Sequence, residues 1–209
     1  YGMHLGASAD ADADGQPNGT ASGDDLDAQG DDDDGVVLAR PLAGGTTATF
    51  EITASEPGLL NAWVDFNGDG DWSDVGEQVF MDRPLLAGTQ TLEGAVPEVA
   101  TDAKVTARFR FGSEPGLSPI GVALDGEVED YLVEVIVGTR LSIDWSGTGV
   151  TVRGQGGAGR VQDIEYTEHL PAPSWQHLGT RTADGMGRFE IADPQASNTV
   201  HRAYRSVLP

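Results

Sequence analysis

The sequence predicts an all-β protein, a β-sandwich followed by a second, smaller β-sandwich module. Short apolar runs alternate with polar residues, as half-buried strands do, and no stretch has the three-to-four-residue periodicity of a long helix. The charge is also divided. Residues 1–137 hold 27 acidic and 5 basic residues, whereas residues 138–209 hold 7 of each. We therefore predict an acidic module over 1–137 and a neutral module over 138–209, with the joint at Gly138 and Thr139.

The first module contains seven runs with strand character. They are Val36–Ala39, Thr47–Thr53, Leu60–Val64, Gln78–Met81, Thr89–Leu92, Val105–Phe111 and Val128–Val137. In the sixth run, apolar residues at alternate positions define one buried face. Pro-Gly pairs at 57–58 and 115–116 indicate turns. Seven short strands at this spacing favour a sandwich.

The second module repeats this pattern at smaller scale. Its predicted strands are Leu141–Trp145, Val150–Arg153, Val161–Thr167, Trp175–Leu178, Arg188–Ile191 and Arg202–Val207. Residues 184–187, Asp-Gly-Met-Gly, are predicted to form a hairpin turn between two of them.

The segment 63–80, WVDFNGDGDWSDVGEQVF, predicts a calcium-binding turn between two strands. Oxygen-bearing side chains alternate and are followed by Gly70, which permits the sharp turn of a calcium loop. The candidate ligands are Asp65, Asn67, Asp69, Asp71, Asp74 and Glu77. A helical EF-hand places a bidentate Glu at loop position twelve, but Gly76 stands there, and the flanks read as strands. The alternative is an ordinary Asp/Asn/Gly turn without metal.

The acidic excess favours more than one bound calcium ion. A compact module with a net charge near −22 repels itself, and Lys104 is its only lysine. The same charge excludes nucleic acid and anionic membranes as partners, and no apolar run approaches the ~20 residues of a membrane span. The chain lacks cysteine, so thiolate metal sites are excluded. Calcium sites of moderate affinity suit a secreted or cell-surface protein, because calcium is plentiful outside the cell.

Residues 7–35 are mostly Asp, Gly, Ala and small polar residues, a composition typical of disorder. Asp10, Asp12 and Asp14 nevertheless repeat the calcium-loop spacing and precede Gly15, so an ordered, cation-bound loop is the other interpretation. In residues 126–130, GEVED, alternation places Glu127 and Glu129 on one strand face and Asp130 on the other. Glu127, Glu129 or Asp130 is predicted to complete the metal ligands of the acidic loops. The alternative is a solvated acidic strand edge.

Five separated motifs resemble the GEVED domain family of bacterial secreted and cell-surface proteins. They are HLGASADADADGQPNG with its following acidic runs, WVDFNGDGDWSDVGEQVF, ARFRF at 107–111, LSPIG at 117–121 and GEVEDY at 126–131. The resemblance covers about residues 4–136 and implies an extracellular, non-enzymatic β-sandwich that often occurs in adhesin-like proteins. Residues 138–209 resemble, more weakly, small β modules that end secreted proteins of environmental bacteria.

Catalysis has little support in the sequence. The four histidines are scattered outside any zinc or triad pattern, and no helix follows the Gly-rich run 154–159 to hold a phosphate. Trp72, within the predicted calcium loop, is the best candidate for stacking on a sugar, although each tryptophan is more typical of a core. The predicted function is a calcium-stabilised structural subunit of a surface filament or layer. The alternatives are a glycan-binding adhesin module and an ancillary domain of a secreted enzyme.

The predicted self-association is head to tail. Residues 1–5 are apolar at alternate positions, so they are expected to add a strand to the sheet of a neighbouring copy. The neutral second module then contacts the acidic first module of the next copy, and such contacts grow into a homopolymer.

Overall fold

The structure is a computed structural model. It describes residues 2–7, 18, 21, 33–99, 101–146, 149–198 and 201–209. In these ranges the chain forms fourteen strands and one short 3-10 helix, Pro194–Asn198. The predicted all-β class is confirmed, and among these residues no helix is long and apolar enough to cross a membrane. The chain divides into two compact units, Tyr1–Ile136 and Val137–Pro209.

The described residues of the first unit form eight strands in two sheets. They are β1 (Val36–Val37), β2 (Leu42–Ala43), β3 (Thr47–Ala54), β4 (Gly58–Val64), β5 (Gln78–Leu85), β6 (Gly88–Ala95), β7 (Ala103–Gly112) and β8 (Glu127–Ile136). One sheet has the order β1-β3-β6 and the other the order β2-β8-β7-β4-β5. Each predicted strand overlaps an observed one. The two-residue β2, parallel to β8, was not predicted.

Aromatic side chains from both sheets form the centre of the first core. The Phe50 ring meets the Phe80 ring edge-on with centroids 5.2 Å apart, and Phe109 packs against Tyr131 in the same manner. Because alternate residues of a strand point to opposite faces, one side of β7 supplies Phe109 and Phe111 to this core while the other side carries Arg108 and Arg110.

The N-terminal segment packs on its own unit, contrary to the prediction that it extends a neighbour's sheet. Leu5 is fully buried and forms a β-bridge with Ala54 at the end of β3. The Gly6 N–H donates to the Thr53 carbonyl at 2.9 Å. These contacts commit Leu5 and Gly6 to the intramolecular core, so that detail of the assembly prediction is wrong.

In the second unit, the part of the chain that the structure describes forms two three-stranded sheets. Its strands are β9 (Arg140–Trp145), β10 (Val150–Gln155), β11 (Val161–Thr167), β12 (Gln176–Thr182), β13 (Arg188–Asp193) and β14 (Ala203–Val207). The sheets have the orders β13-β10-β9 and β12-β11-β14, and Val152, Ile164 and Ile191 lie in the core. The turn at 184–187 is present, with the Gly187 N–H donating to the Asp184 carbonyl. It joins β12 and β13, which belong to different sheets, so the predicted hairpin is wrong.

Candidate metal centre

The predicted calcium loop connects β4 to its sheet neighbour β5. Asp65 follows the last residue of β4, and Glu77 precedes the first residue of β5. Both carboxylates are almost completely buried, with 4% and 2% of the residue surface exposed. Two adjacent strands therefore hold two acidic side chains at the base of the loop.

The Asp65 carboxylate organises the first half of the loop. One oxygen accepts hydrogen bonds from the N–H groups of Gly68 and Asp69, and the other accepts from Gly70 at 2.9 Å. Gly70 has φ +93°, a backbone conformation that a Cβ-bearing residue rarely adopts. The Asp-x-Asn-x-Asp-Gly pattern thus forms the turn that its spacing predicts, and backbone N–H groups of this turn surround the Asp65 carboxylate.

Asn67 lies between two further acidic side chains. Its amide nitrogen donates to Asp69 Oδ2 at 2.9 Å and to Asp74 Oδ2 at 2.5 Å. The N–H donors thus occupy the space between the two carboxylates. Within the described ranges, no group of three or more His, Cys, Asp or Glu side chains stands at metal-binding distance. Calcium ligation requires the Asn67 amide to rotate and present its oxygen instead.

Glu77 is the residue whose environment most strongly indicates a ligand. Its Oε2 accepts a hydrogen bond from the Asp74 N–H, whereas its buried Oε1 has no hydrogen-bond partner among the residues that the structure describes. Burial raises the pKa of Glu77, and the negative charges of Asp65, Asp74 and Asp69 raise it further. A buried carboxylate with other negative charges nearby is costly unless a cation compensates them.

The remaining loop carboxylate is bound by a neighbouring serine. Asp71 is exposed and accepts hydrogen bonds from both the N–H and the hydroxyl of Ser73, which lowers the pKa of Asp71. Its side chain is therefore engaged locally in this structure. A backbone carbonyl is the usual ligand at this seventh loop position of a calcium loop.

Asp130 has a different role from the predicted one. Both of its oxygens bind the buried guanidinium of Arg108, at 2.7 Å from Nε and 2.6 Å from Nη2. Trp72 lies against the same guanidinium, with Arg108 Cζ 5.3 Å from the ring centroid. The prediction of Asp130 as a metal ligand is therefore wrong. Trp72, the best candidate for stacking on a sugar, contacts an arginine.

The arginines of β7 were not predicted as functional residues, although they fix a long loop. Arg108 donates to the Pro119 carbonyl, and Arg110 donates to the carbonyls of Ser118 and Gly121. Residues 117–121, LSPIG, are thus held to the outer face of β7. The available signal was the presence of two arginines at alternate positions of a strand whose opposite face is apolar.

Glu127 and Glu129 lie on the opposite face of β8 and bind backbone amides. Glu127 Oε2 accepts from the Leu5 N–H at 2.6 Å, and Glu129 Oε1 accepts from the Gly35 N–H at 2.9 Å. The Tyr131 hydroxyl donates to Glu129 and accepts from the Val36 N–H. Burial raises the pKa of Glu129 to about 7. Since Glu129 is only 1% exposed, the alternative of a solvated acidic edge is wrong for this residue.

Two acidic residues just before β1, Asp33 and Asp34, also accept backbone hydrogen bonds. The Asp130 N–H donates to Asp33 Oδ1, and the Ala7 N–H donates to Asp34 Oδ1. The predicted ligands Asp10, Asp12 and Asp14 lie outside the described residues.

Steric crowding explains why the GEVED sequence begins with glycine. Gly126 has φ +98°, and a Cβ at this position would lie 1.9 Å from the Phe111 carbonyl oxygen. The three acidic residues of the motif each bind a specific group. Glu127 and Glu129 accept hydrogen bonds from the Leu5 and Gly35 amides, and Asp130 forms an ion pair with Arg108. The motif therefore encodes contacts that join β8 to β7 and to the N-terminal segments.

Part of the chain matches a known protein family. Residues 59–134 match the GEVED domain. The match extends from β4 through β8, so it includes the candidate metal loop, the arginine-bound loop and the GEVED sequence. The resemblance inferred from the separated motifs is thereby confirmed for this part of the chain. No curated protein matches the chain.

Several solved structures align with most of the chain at low similarity. A tetra-tandem repeat from the extending region of a large adhesion protein is 14% identical, with a TM-score of 0.31. The alignment covers 82% of this chain but only 47% of that chain. The class 5 fimbriae chaperone CfaA is 9% identical (TM-score 0.31; 83% of this chain and 98% of that chain). A chaperone–tip adhesin complex of CFA/I fimbriae is also 9% identical (TM-score 0.27; 82% and 94%). TM-scores in this range carry no functional argument.

Proposed function

We propose that the protein is a non-enzymatic, calcium-stabilised β-sandwich subunit of an extracellular filament or surface layer. The observation that carries the calcium part is the buried Oε1 of Glu77, unpartnered within the described residues, beside Asp65, Asp69 and Asp74. These groups and the Asn67 side chain offer oxygen donors, which suit a hard cation such as Ca²⁺.

Calcium binding would also offset part of the negative charge of the first unit. Residues 1–137 carry all of the net charge of −22, and a bound divalent cation reduces the repulsion among the loop carboxylates. A cation at Glu77 would bridge the end of β4 to the start of β5, because Asp65 and Glu77 flank these strands. Binding is therefore expected to stabilise this sheet in particular.

The assembly part rests on the unequal charge of the two units. Contact between the neutral second unit of one copy and the acidic first unit of the next avoids contact between two highly negative surfaces. A head-to-tail contact of this kind grows into a fibre unless its rotation closes a ring. Secretion to the cell surface supplies the millimolar calcium that such a subunit uses.

Thermal unfolding with calcium or with chelator tests the metal site. At a calcium concentration a hundredfold above Kd, binding to the folded state contributes about 2.7 kcal/mol, which corresponds to a rise of several degrees in Tm. Glu77→Gln keeps the side-chain volume and is expected to lose most of this rise. Asp163→Asn, in the second unit, is expected to retain it. Equal melting curves of the native protein in both buffers, together with no heat of calcium binding in calorimetry, would refute the site.

Electron microscopy tests the assembly separately. Native material in millimolar calcium is expected to show filaments or layers, and chelator is expected to shorten or dissolve them. Particles that remain monomeric at high concentration in calcium would refute the polymer while leaving the metal site intact. In that case, a glycan array would examine the alternative of an adhesin module.

A further inference from the structure

The first strand of the second unit is an open sheet edge. β9 pairs with β10 through six consecutive residue pairs, from Arg140↔Gln155 to Trp145↔Val150, and no strand of the described ranges pairs with its other side. Ile143 and Trp145 are 52% and 61% exposed, although they lie on the same face of the sheet as the buried Val150 and Val152. β9 thus presents an apolar stripe beside an unpaired backbone.

The backbone direction of β9 follows from its turn. The Ser146 N–H donates to the Gly149 carbonyl, so residue 146 faces the β10 side. Because backbone groups alternate along a strand, Asp144 and Ser142 also face β10. The N–H and C=O groups of Leu141, Ile143 and Trp145 therefore point away from the sheet, toward the open edge.

Two other edge strands, β5 and β12, carry features that oppose strand addition. β5 contains Pro84, and its pairing with β4 shifts register twice. β12 pairs with β11 through a bulge between Ile164 and Glu165. β9 has neither proline nor bulge, and regular, apolar edges of this kind invite pairing with another strand.

The order of side chains on β9 is complementary to itself. If two copies pair antiparallel with Ser142 opposite Ser142, then Arg140 of each copy lies opposite Asp144 of the other. On the other face, Leu141 of each copy lies opposite Ile143, and these are the residues whose backbone groups point to the open edge. Asp144 also contacts Arg153 on β10, so its carboxylate would receive two arginines.

We propose that β9 is a self-association edge, through which two copies of the chain join their β13-β10-β9 sheets into one six-stranded sheet. The two-fold axis passes through Ser142. Two symmetric Arg140–Asp144 ion pairs, two Leu141–Ile143 contacts and the main-chain hydrogen bonds of residues 141 and 143 hold the pair. The contact is isologous and joins two second units, whereas the proposed head-to-tail contact joins a second unit to a first unit, and it does not involve the calcium loop.

Disulfide trapping in the full chain tests the register directly, because the chain has no cysteine of its own. Ser142→Cys is expected to give a covalent dimer under mild oxidation. Glu190→Cys is the matched control, because it is exposed on the same face of the same sheet, on β13, two strands away. Cross-linking of Ser142→Cys no faster than that of Glu190→Cys overturns the proposal. This readout does not depend on filament formation.

Sedimentation of uncross-linked variants gives a second test. Ile143→Pro removes an N–H that faces the open edge and leaves the hydrogen bonds to β10 in place, so it is expected to raise the dimer dissociation constant more than about tenfold. Arg140→Asp places two acids opposite each other and is expected to weaken the dimer. Adding Asp144→Arg to Arg140→Asp is expected to restore dimerisation. Failure of the double variant to recover overturns the assigned register.

Discussion

Glu129 and Asp130 are neighbours in sequence but meet different environments because they face opposite sides of β8. Asp130 is neutralised by the guanidinium of Arg108, whose nitrogens lie 2.6–2.7 Å from its oxygens. Glu129 faces backbone N–H groups and a tyrosine hydroxyl, which solvate its charge less completely. A carboxylate thus forms an ion pair on one face of β8, whereas on the other face a carboxylate has a raised pKa.

Removal of the Asp130 charge is expected to destabilise the first unit strongly. Asp130→Asn leaves Arg108 as a buried cation without its carboxylate, and such a change costs about 3–5 kcal/mol. Asp144→Asn is the control, because its ion pair with Arg153 is more than half exposed and contributes at most about 1 kcal/mol. Urea unfolding measures both. A calcium-dependent rise in Tm should persist in Asp130→Asn, whereas loss of that rise would return Asp130 to the metal ligands.

Most strands were predictable because their pattern is local. Each predicted run became a strand, and the Asp, Asn and Gly spacing after β4 correctly predicted a turn between two strands, whereas calcium in that turn stays a prediction. The two-residue β2 was not predictable, because its pairing with β8 depends on residues about 93 positions away. The Asp184 turn was recognised correctly, but local turn chemistry does not specify the sheet to which the next strand belongs.

The N-terminal segments and β8 form an element that responds to pH. The pKa of Glu129 is raised from 4.5 to about 7 by burial, so folding takes up a proton between these values. Its contribution to stability is fully present below pH 4.5 and is lost as the pH rises through about 7. Each pH unit between the unfolded and folded pKa values corresponds to about 1.4 kcal/mol, so the contribution is of the order of 3 kcal/mol.

In chelator, the first unit is therefore expected to be less stable at pH 8 than at pH 6. Glu129→Gln has no carboxyl proton to lose and should flatten this dependence, whereas the exposed Glu93→Gln should preserve it. Unfolding monitored at both pH values measures the difference. An equally steep dependence in Glu129→Gln would show that other acids cause it.

At the scale of the whole molecule, the distribution of charge was predictable from the sequence, but the contacts of the buried arginines were not. The acidic excess is confined to the first unit, which the sequence makes evident. The sequence does not show that Arg108 forms an internal ion pair, or that Arg108 and Arg110 donate hydrogen bonds to loop carbonyls. Their partners lie 8 to 22 residues away and become neighbours only when the sheet forms. Composition therefore predicted the surface of the molecule better than the pairing inside it.

The position of Glu127 has a consequence for a subunit under tension. Leu5 is bonded to Glu127, the first residue of β8, and the last residue of β8 leads through Val137–Thr139 into β9. A pull applied at residue 5 and at β9 therefore loads the ten-residue β8 from both of its ends, alongside the contacts of residues 4–6 with β3. The hydrogen bonds of β8 to β7 are then loaded together in shear, rather than opened one at a time.

We expect the first unit to resist force well, and Glu127→Gln to yield at a lower force in single-molecule pulling. Glu93→Gln, outside this load path, should yield at the force of the native protein. Equal rupture forces for Glu127→Gln and the native protein would place the load elsewhere. If the chain links a cell to a surface, Glu127 of the GEVED sequence would help to set the force at which the first unit unfolds.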